Sequence, residues 1–71
     1  MQHYRIRQER RGRNWTLKYV GEQVGLTQPA IHDIEKGRRK PSYEVLCKLE
    51  DLFNLSHRKL FAVARDNNPS S

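Results

Sequence analysis

The sequence predicts an all-α domain of five short helices, and three observations carry that expectation. Small hydroxyl residues at Thr16, Thr27, Ser42 and Ser56 each precede helix-permitting sequence, and each can accept from an N–H group that a first helical turn leaves without an intrahelical partner. Three of these caps also sit inside a hydrophobic staple, in which the residue before the cap packs on one a turn into the helix: Trp15 with Val20, Leu26 with Ile31, Leu55 with Leu60. No run of β-branched residues has period two, so no sheet is expected.

Taken in order, the first helix is expected at residues 3–13, rich in arginine, with Asn14 able to adopt the left-handed conformation that ends it. The second, 17–24, follows Thr16 and stops at Gly25; the third, 28–36, follows Thr27 and stops at Gly37. The fourth, 43–53, runs from Ser42 to a stop at Asn54, and the fifth, 57–64, follows Ser56. The apolar positions agree with these limits. Leu17, Val20 and Val24 form one stripe, Ala30, Ile31 and Ile34 a second, Val45, Leu46, Leu49, Leu52 and Phe53 a third, and Leu60 and Phe61 complete the core. Residues 1–65 thus form one domain, and the polar tail 66–71, "DNNPSS", is expected to be disordered.

The totals set bounds on function. A chain of 71 residues has room for one core, marginal unless helix packing is regular or a partner chain helps. The net charge is +6, and the surplus is uneven: residues 1–40 hold ten Lys/Arg against four acids, residues 41–71 four against four. Such an excess suggests a polyanionic partner, nucleic acid or an acidic membrane surface, although many small basic domains bind neither. No signal-peptide run opens the chain and no stretch approaches the roughly 20 apolar residues of a membrane span, so a cytoplasmic location is expected. Cys47 alone can form no internal disulfide, and it lies in the apolar fourth helix as a small core residue. The carboxylates are scattered, and His3, His32 and His57 share no site. No enzyme activity, metal, cofactor or small-molecule ligand is therefore expected.

Function is expected at the third helix. Only Gly25, Leu26 and Thr27 separate it from the second, the link of a helix-turn-helix. Gly21, inside the second helix, costs about 1 kcal/mol relative to alanine, a cost offset if the third helix approaches it closely. At about 100° per residue, Ala30, Ile31 and Ile34 share an arc facing the core, while Gln28, Pro29, His32, Asp33 and Lys36 share the opposite arc. A short helix of this kind fits the major groove of DNA, where glutamine can pair with adenine through two hydrogen bonds, so Gln28 is the first candidate base reader. Thr27 lies at the start of the same surface. Pro29 is tolerated in a first turn and biases Gln28 away from helical angles; its ring can touch a thymine methyl or simply stiffen the helix start. His32 suits a contact to base or phosphate. Asp33 suits a pairing with His32 or a nearby arginine better than acceptance from cytosine. Lys36, Arg38, Arg39 and Lys40 leave the helix where the sugar-phosphate wall would pass and are expected to contact phosphates. Arg5, Arg7, Arg11 and Arg13 are left open between phosphate contact and solvent.

The stretch "TLKYVGEQVGLTQPAIHDIEKGRRKPS" resembles the phage repressor and Cro-like, XRE-type, helix-turn-helix regulators. The likeness lies in Gly21, Gly25, Leu26, Thr27, Ile31, Ile34, Glu35, Gly37 and the Lys40–Ser42 triplet, and it extends over residues 5 to about 61. The resemblance implies a compact five-helix repressor-like domain with the third helix as DNA reader, and an internal ion pair between Arg10 and Glu35. It further implies a homodimer on double-stranded DNA, its half-sites about one helical turn apart. The expected function is that of a sequence-specific transcriptional regulator, a repressor reading an operator major groove with helix 28–36. The alternative is the antitoxin of a toxin-antitoxin pair, for which DNA binding serves autoregulation. Three positions depart from the family: Leu17, where glutamine usually reaches a phosphate; Glu9, commonly apolar; and Pro29. Phe61, Val63 and Tyr4 suit either a dimer surface or the monomer core.

Overall fold

The computed structural model describes residues 2–65. Its elements run β1 (Gln2–Tyr4), α1 (Arg5–Gly12), α2 (Leu17–Val24), α3 (Gln28–Glu35), α4 (Tyr43–Phe53), α5 (His57–Leu60) and β2 (Val63–Arg65). Three of the four hydroxyl caps form as expected. Thr16 accepts from the Tyr19 N–H at 2.9 Å, Thr27 from Ala30 at 3.3 Å, and Ser42 from Val45 at 3.2 Å. The stops are left-handed residues at Asn14, Gly25, Gly37 and Asn54, with φ of 61°, 80°, 78° and 56°.

Ser56 occupies the N-cap position of α5, yet its side chain makes no capping bond. A carboxylate takes that place. Glu50, from α4, accepts from the His57 backbone N–H at 2.7 Å and contacts His57 Nδ1 at 2.8 Å. An ionised acceptor makes the stronger hydrogen bond, and it also sits at the positive end of the helix dipole.

Two expectations are corrected at the ends of the described chain. A two-stranded antiparallel sheet is present where none was expected, with Gln2 opposite Arg65, His3 opposite Ala64 and Tyr4 opposite Val63. The Arg5 N–H donates to the Ala62 carbonyl at 2.9 Å, extending the pairing by one bond. The outer helices are correspondingly shorter: α1 begins at Arg5 rather than residue 3, and α5 ends at Leu60 rather than residue 64. The expected tail, 66–71, lies outside the described residues.

The helices enclose one core: Ile6 of α1, Val20 and Val24 of α2, Ile31 of α3, Leu49 and Phe53 of α4 and Leu60 of α5, all nearly inaccessible to solvent. Trp15, in the link before α2, packs its ring 5.2 Å from that of Phe53 and joins the first half of the chain to the fourth helix. Cys47, expected in the core, is only half-buried. Tyr4 and Phe61, left open between monomer and dimer roles, stack edge to face at 5.5 Å and pack against the core; Val63 is exposed.

Glu9, the departure from an apolar family position, is held by two arginines. Arg13 Nη1 lies 2.7 Å from one of its oxygens and Arg5 Nε 3.3 Å from the other. Arg13 also donates to the Phe53 carbonyl at 3.0 Å, at the negative end of α4, and lies over the Trp15 and Phe53 rings. The hydrogen bond from Arg13 lowers the Glu9 pKa below the ordinary carboxylate value, and the bonds from His57 do the same for Glu50.

A carboxyl whose folded pKa is depressed stabilises the fold above its unfolded pKa, and that contribution is lost as the pH falls through the folded value. The midpoint of thermal unfolding is therefore expected to drop on acidification below the ordinary carboxylate range. In Glu50→Gln, with Glu9 still titrating, the drop is expected to be smaller; an unchanged acid limb would show that Glu50 is not a cap of consequence.

Candidate nucleic-acid interface

The geometry of α2 and α3 is set by a close approach of backbone. The N–H groups of Gly25 and Leu26 both turn back to the Gly21 carbonyl, the second at 2.8 Å. A Cβ at Gly21 would run into the Leu26 carbonyl oxygen. The compensation for a glycine in mid-helix is thus the turn folding onto it, where the sequence suggested contact with the third helix. Thr27 then starts α3, with Pro29 in the first turn, where its missing N–H costs nothing.

One side of α3 is anchored. Ala30, Ile31 and Ile34 are 5%, 1% and 1% exposed, and Glu35 is 2% exposed. The Glu35 carboxylate meets Arg10 of α1 as a fork: Nε to Oε2 at 2.7 Å and Nη2 to Oε1 at 3.3 Å. The remaining Arg10 nitrogen, Nη1, donates to the Trp15 carbonyl at 2.9 Å. One guanidinium thereby joins α1, the link into α2 and the last turn of α3. The pair implied by the family resemblance is an internal clamp, although Glu35 has no apolar signal to mark it as buried.

The other side is open. Gln28, Pro29 and His32 are exposed, and Asp33 and Lys36 half-exposed. With Leu17 of α2, the first three line a shallow depression. Asp33 makes the arginine pairing: its carboxylate lies 4.0 Å from Arg38 Nη1, and its carbonyl accepts from the Arg38 N–H at 2.8 Å. Arg38, Arg39 and Lys40 are exposed on the loop that follows. This loop is held from below at Gly37, where the Tyr4 ring passes so closely that an added Cβ would stand 3.2 Å from its edge. Tyr4 is a positioning residue that the sequence did not reveal, because its partner is 33 positions away and carries no side chain. Of the four open arginines, Arg13 is half-buried and engaged with Glu9 and the Phe53 carbonyl, Arg5 leans on Glu9, Arg7 Nη1 lies 3.4 Å from His3 Nδ1, and Arg11 is exposed. The open face therefore has polar side chains on a fixed helix and a cationic loop beside it, the two features a duplex requires. Among the described residues no helix is long and apolar enough to cross a membrane, and no cluster of three or more His, Cys, Asp or Glu could hold a metal ion.

Two substitutions probe this frame. Gly21→Ala is expected to destabilise the domain by about 1–3 kcal/mol in urea unfolding, overpacking outweighing the helix propensity of alanine; a gain in stability would show that the turn is not close-packed. Glu35→Gln is expected to cost about 3 kcal/mol or more by leaving Arg10 uncompensated, whereas the Arg10→Met, Glu35→Leu double variant recovers most of the loss. A double variant no more stable than Glu35→Gln would contradict the clamp.

A helix-turn-helix family model matches residues 6–60. Over 50 residues the chain is 36% identical to the HTH-type transcriptional regulator AnsR of Bacillus subtilis, a match that spans 70% of this chain and 43% of AnsR. Over 65 residues it is 29% identical to an uncharacterised HTH-type transcriptional regulator of Mycobacterium tuberculosis, spanning 92% of this chain and 46% of that one. The chain thus spans less than half the length of these relatives. Among solved structures, the N-terminal DNA binding domain of SinR from Bacillus subtilis superposes with a TM-score of 0.65 at 24% identity, over 90% of this chain and 91% of that one. The restriction-modification controller protein C.AhdI from Aeromonas hydrophila gives 0.69 at 24%, over 80% and 86%. At that identity the two likenesses speak for the fold alone.

Proposed function

Because this chain belongs to the helix-turn-helix family, of XRE type, we propose that it is a sequence-specific DNA-binding transcriptional regulator, a repressor whose α3 reads the major groove of its operator. The observation that carries this reading is the division of α3. Its rear is locked by two isoleucines and the Arg10–Glu35 fork, while its front leaves Gln28, Pro29 and His32 exposed among the described residues. A helix held so firmly gives up little conformational freedom on binding, which favours selective contacts.

Each residue has a role in this reading. Gln28, at the N-terminal end that enters the groove first, pairs with adenine through N6 and N7. Thr27 and His32 flank it with shorter polar contacts. Lys36, Arg38, Arg39 and Lys40 neutralise phosphates and set the register on the duplex. Asp33 orients Arg38 across their 4.0 Å contact rather than reading a base. Two copies bind the two halves of an inverted repeat as a homodimer, and the site of action is cytoplasmic.

The test compares two variants on a duplex chosen by selection from a random pool. Gln28→Ala is expected to cost about 1–3 kcal/mol and relax preference at one or two base pairs, whereas Arg38→Ala weakens all sequences alike and reduces the salt slope by about one unit. Unchanged selectivity in Gln28→Ala would remove Gln28 as the reader.

A further inference from the structure

The depression on the open face has a chemical character that hydrogen bonding does not account for. Leu17 from α2 and Pro29 from α3 line it together with Gln28 and His32. Neither apolar side chain can donate or accept a hydrogen bond, and Pro29 also lacks a backbone N–H. Leu17 is only half-buried, so part of its surface stays in water in the free protein. Two polar side chains, Gln28 and His32, thus border an apolar patch built from both helices of the motif. In the major groove one standard base offers an apolar group at its edge, thymine with its C5-methyl. The cationic loop 38–40, which follows α3 at its other end, selects a polyanion as occupant rather than an apolar peptide.

We propose that Leu17 and Pro29 form a thymine-methyl subsite, so that the chain selects thymine at one position of its half-site by burying the methyl group. The inference rests on the groove-reading role of α3. Because Gln28 lines the same depression, the selected thymine lies within one base pair of the adenine that Gln28 reads. Leu17, which cannot make the phosphate contact of the usual glutamine, thereby gains a base-reading role. The patch discriminates by an absence: a base edge with only polar atoms would strip water from them against Leu17 and Pro29 and return no partner.

The experiment changes the DNA before it changes the protein. The half-site is obtained by selection from a random pool, and each thymine in it is replaced singly by deoxyuridine, which removes the methyl and nothing else. One replacement, next to the adenine whose recognition Gln28→Ala abolishes, is expected to weaken binding about fourfold, the effect of burying one methyl group. The others are expected to change little. In Leu17→Gln the thymine-to-uracil ratio at that position is expected to fall to near one, and in Pro29→Ala to fall part of the way; circular dichroism reports whether each variant is folded, and Pro29→Ala carries the test alone if Leu17→Gln is not. A defined half-site at which every uracil is tolerated would overturn the subsite while leaving α3 as the reader. A uracil effect undiminished in the folded variants would place the methyl contact elsewhere and overturn it too. A pool yielding no preferred sequence would remove both the reading role and this inference.

Discussion

A buried guanidinium–carboxylate fork decides where the exposed helix can lie. Arg10 and Glu35 have side chains only 10% and 2% accessible, and removing two such charges from water costs several kcal/mol per ion unless geometry and further hydrogen bonds make it good. Here both Glu35 oxygens are engaged, and the third Arg10 nitrogen reaches the Trp15 carbonyl. The gain is orientation more than net stability. Apolar packing by Ile31 and Ile34 would tolerate small rotations of α3, whereas a planar fork accepts one, and the same guanidinium holds the link from which α2 begins. The helix-turn-helix is therefore aimed by α1, an element that need not touch a ligand.

Much of this architecture is legible in the sequence because its signals are local. A hydroxyl cap, a staple and a left-handed stop each lie within a few residues of the helix they delimit, and Thr16, Thr27, Ser42, Asn14, Gly25, Gly37 and Asn54 all act where expected. What was missed is non-local. The β1–β2 pairing joins the two ends of the described chain through strands of three residues, too short for alternation to show, and it replaces the last turn drawn for α5. Ser56 loses its cap to Glu50, six positions upstream and indistinguishable in sequence from a solvated acid. The depression beside Gln28 requires knowing that Leu17 and Pro29, twelve positions apart, share a face.

The departures from the family pattern have physical accounts of their own. Glu9, charged at a customarily apolar position, sits half-buried because Arg13 and Arg5 neutralise it, and Arg13 also covers the Trp15 and Phe53 rings. The small sheet also supports the candidate interface. Tyr4, fixed by its pairing with Val63 and by the Phe61 ring, packs against Gly37 and so supports the loop that carries Arg38, Arg39 and Lys40. The ends of the described chain are thus tied to the cationic loop, and the loop to α3 through Asp33.

The central claim is that the front of α3 and the adjoining loop form the surface that meets DNA, and nuclear magnetic resonance tests it most directly. Isotope-labelled protein titrated with its selected duplex is predicted to show amide shifts concentrated at Thr27, Gln28, residues 30–33 and residues 36–40, together with the Gln28 side-chain amide, while the core amides of α4 move little. Shifts centred instead on the cleft formed by Tyr4, Leu46, His57 and Phe61, with the α3 front unmoved at saturating duplex, would contradict it.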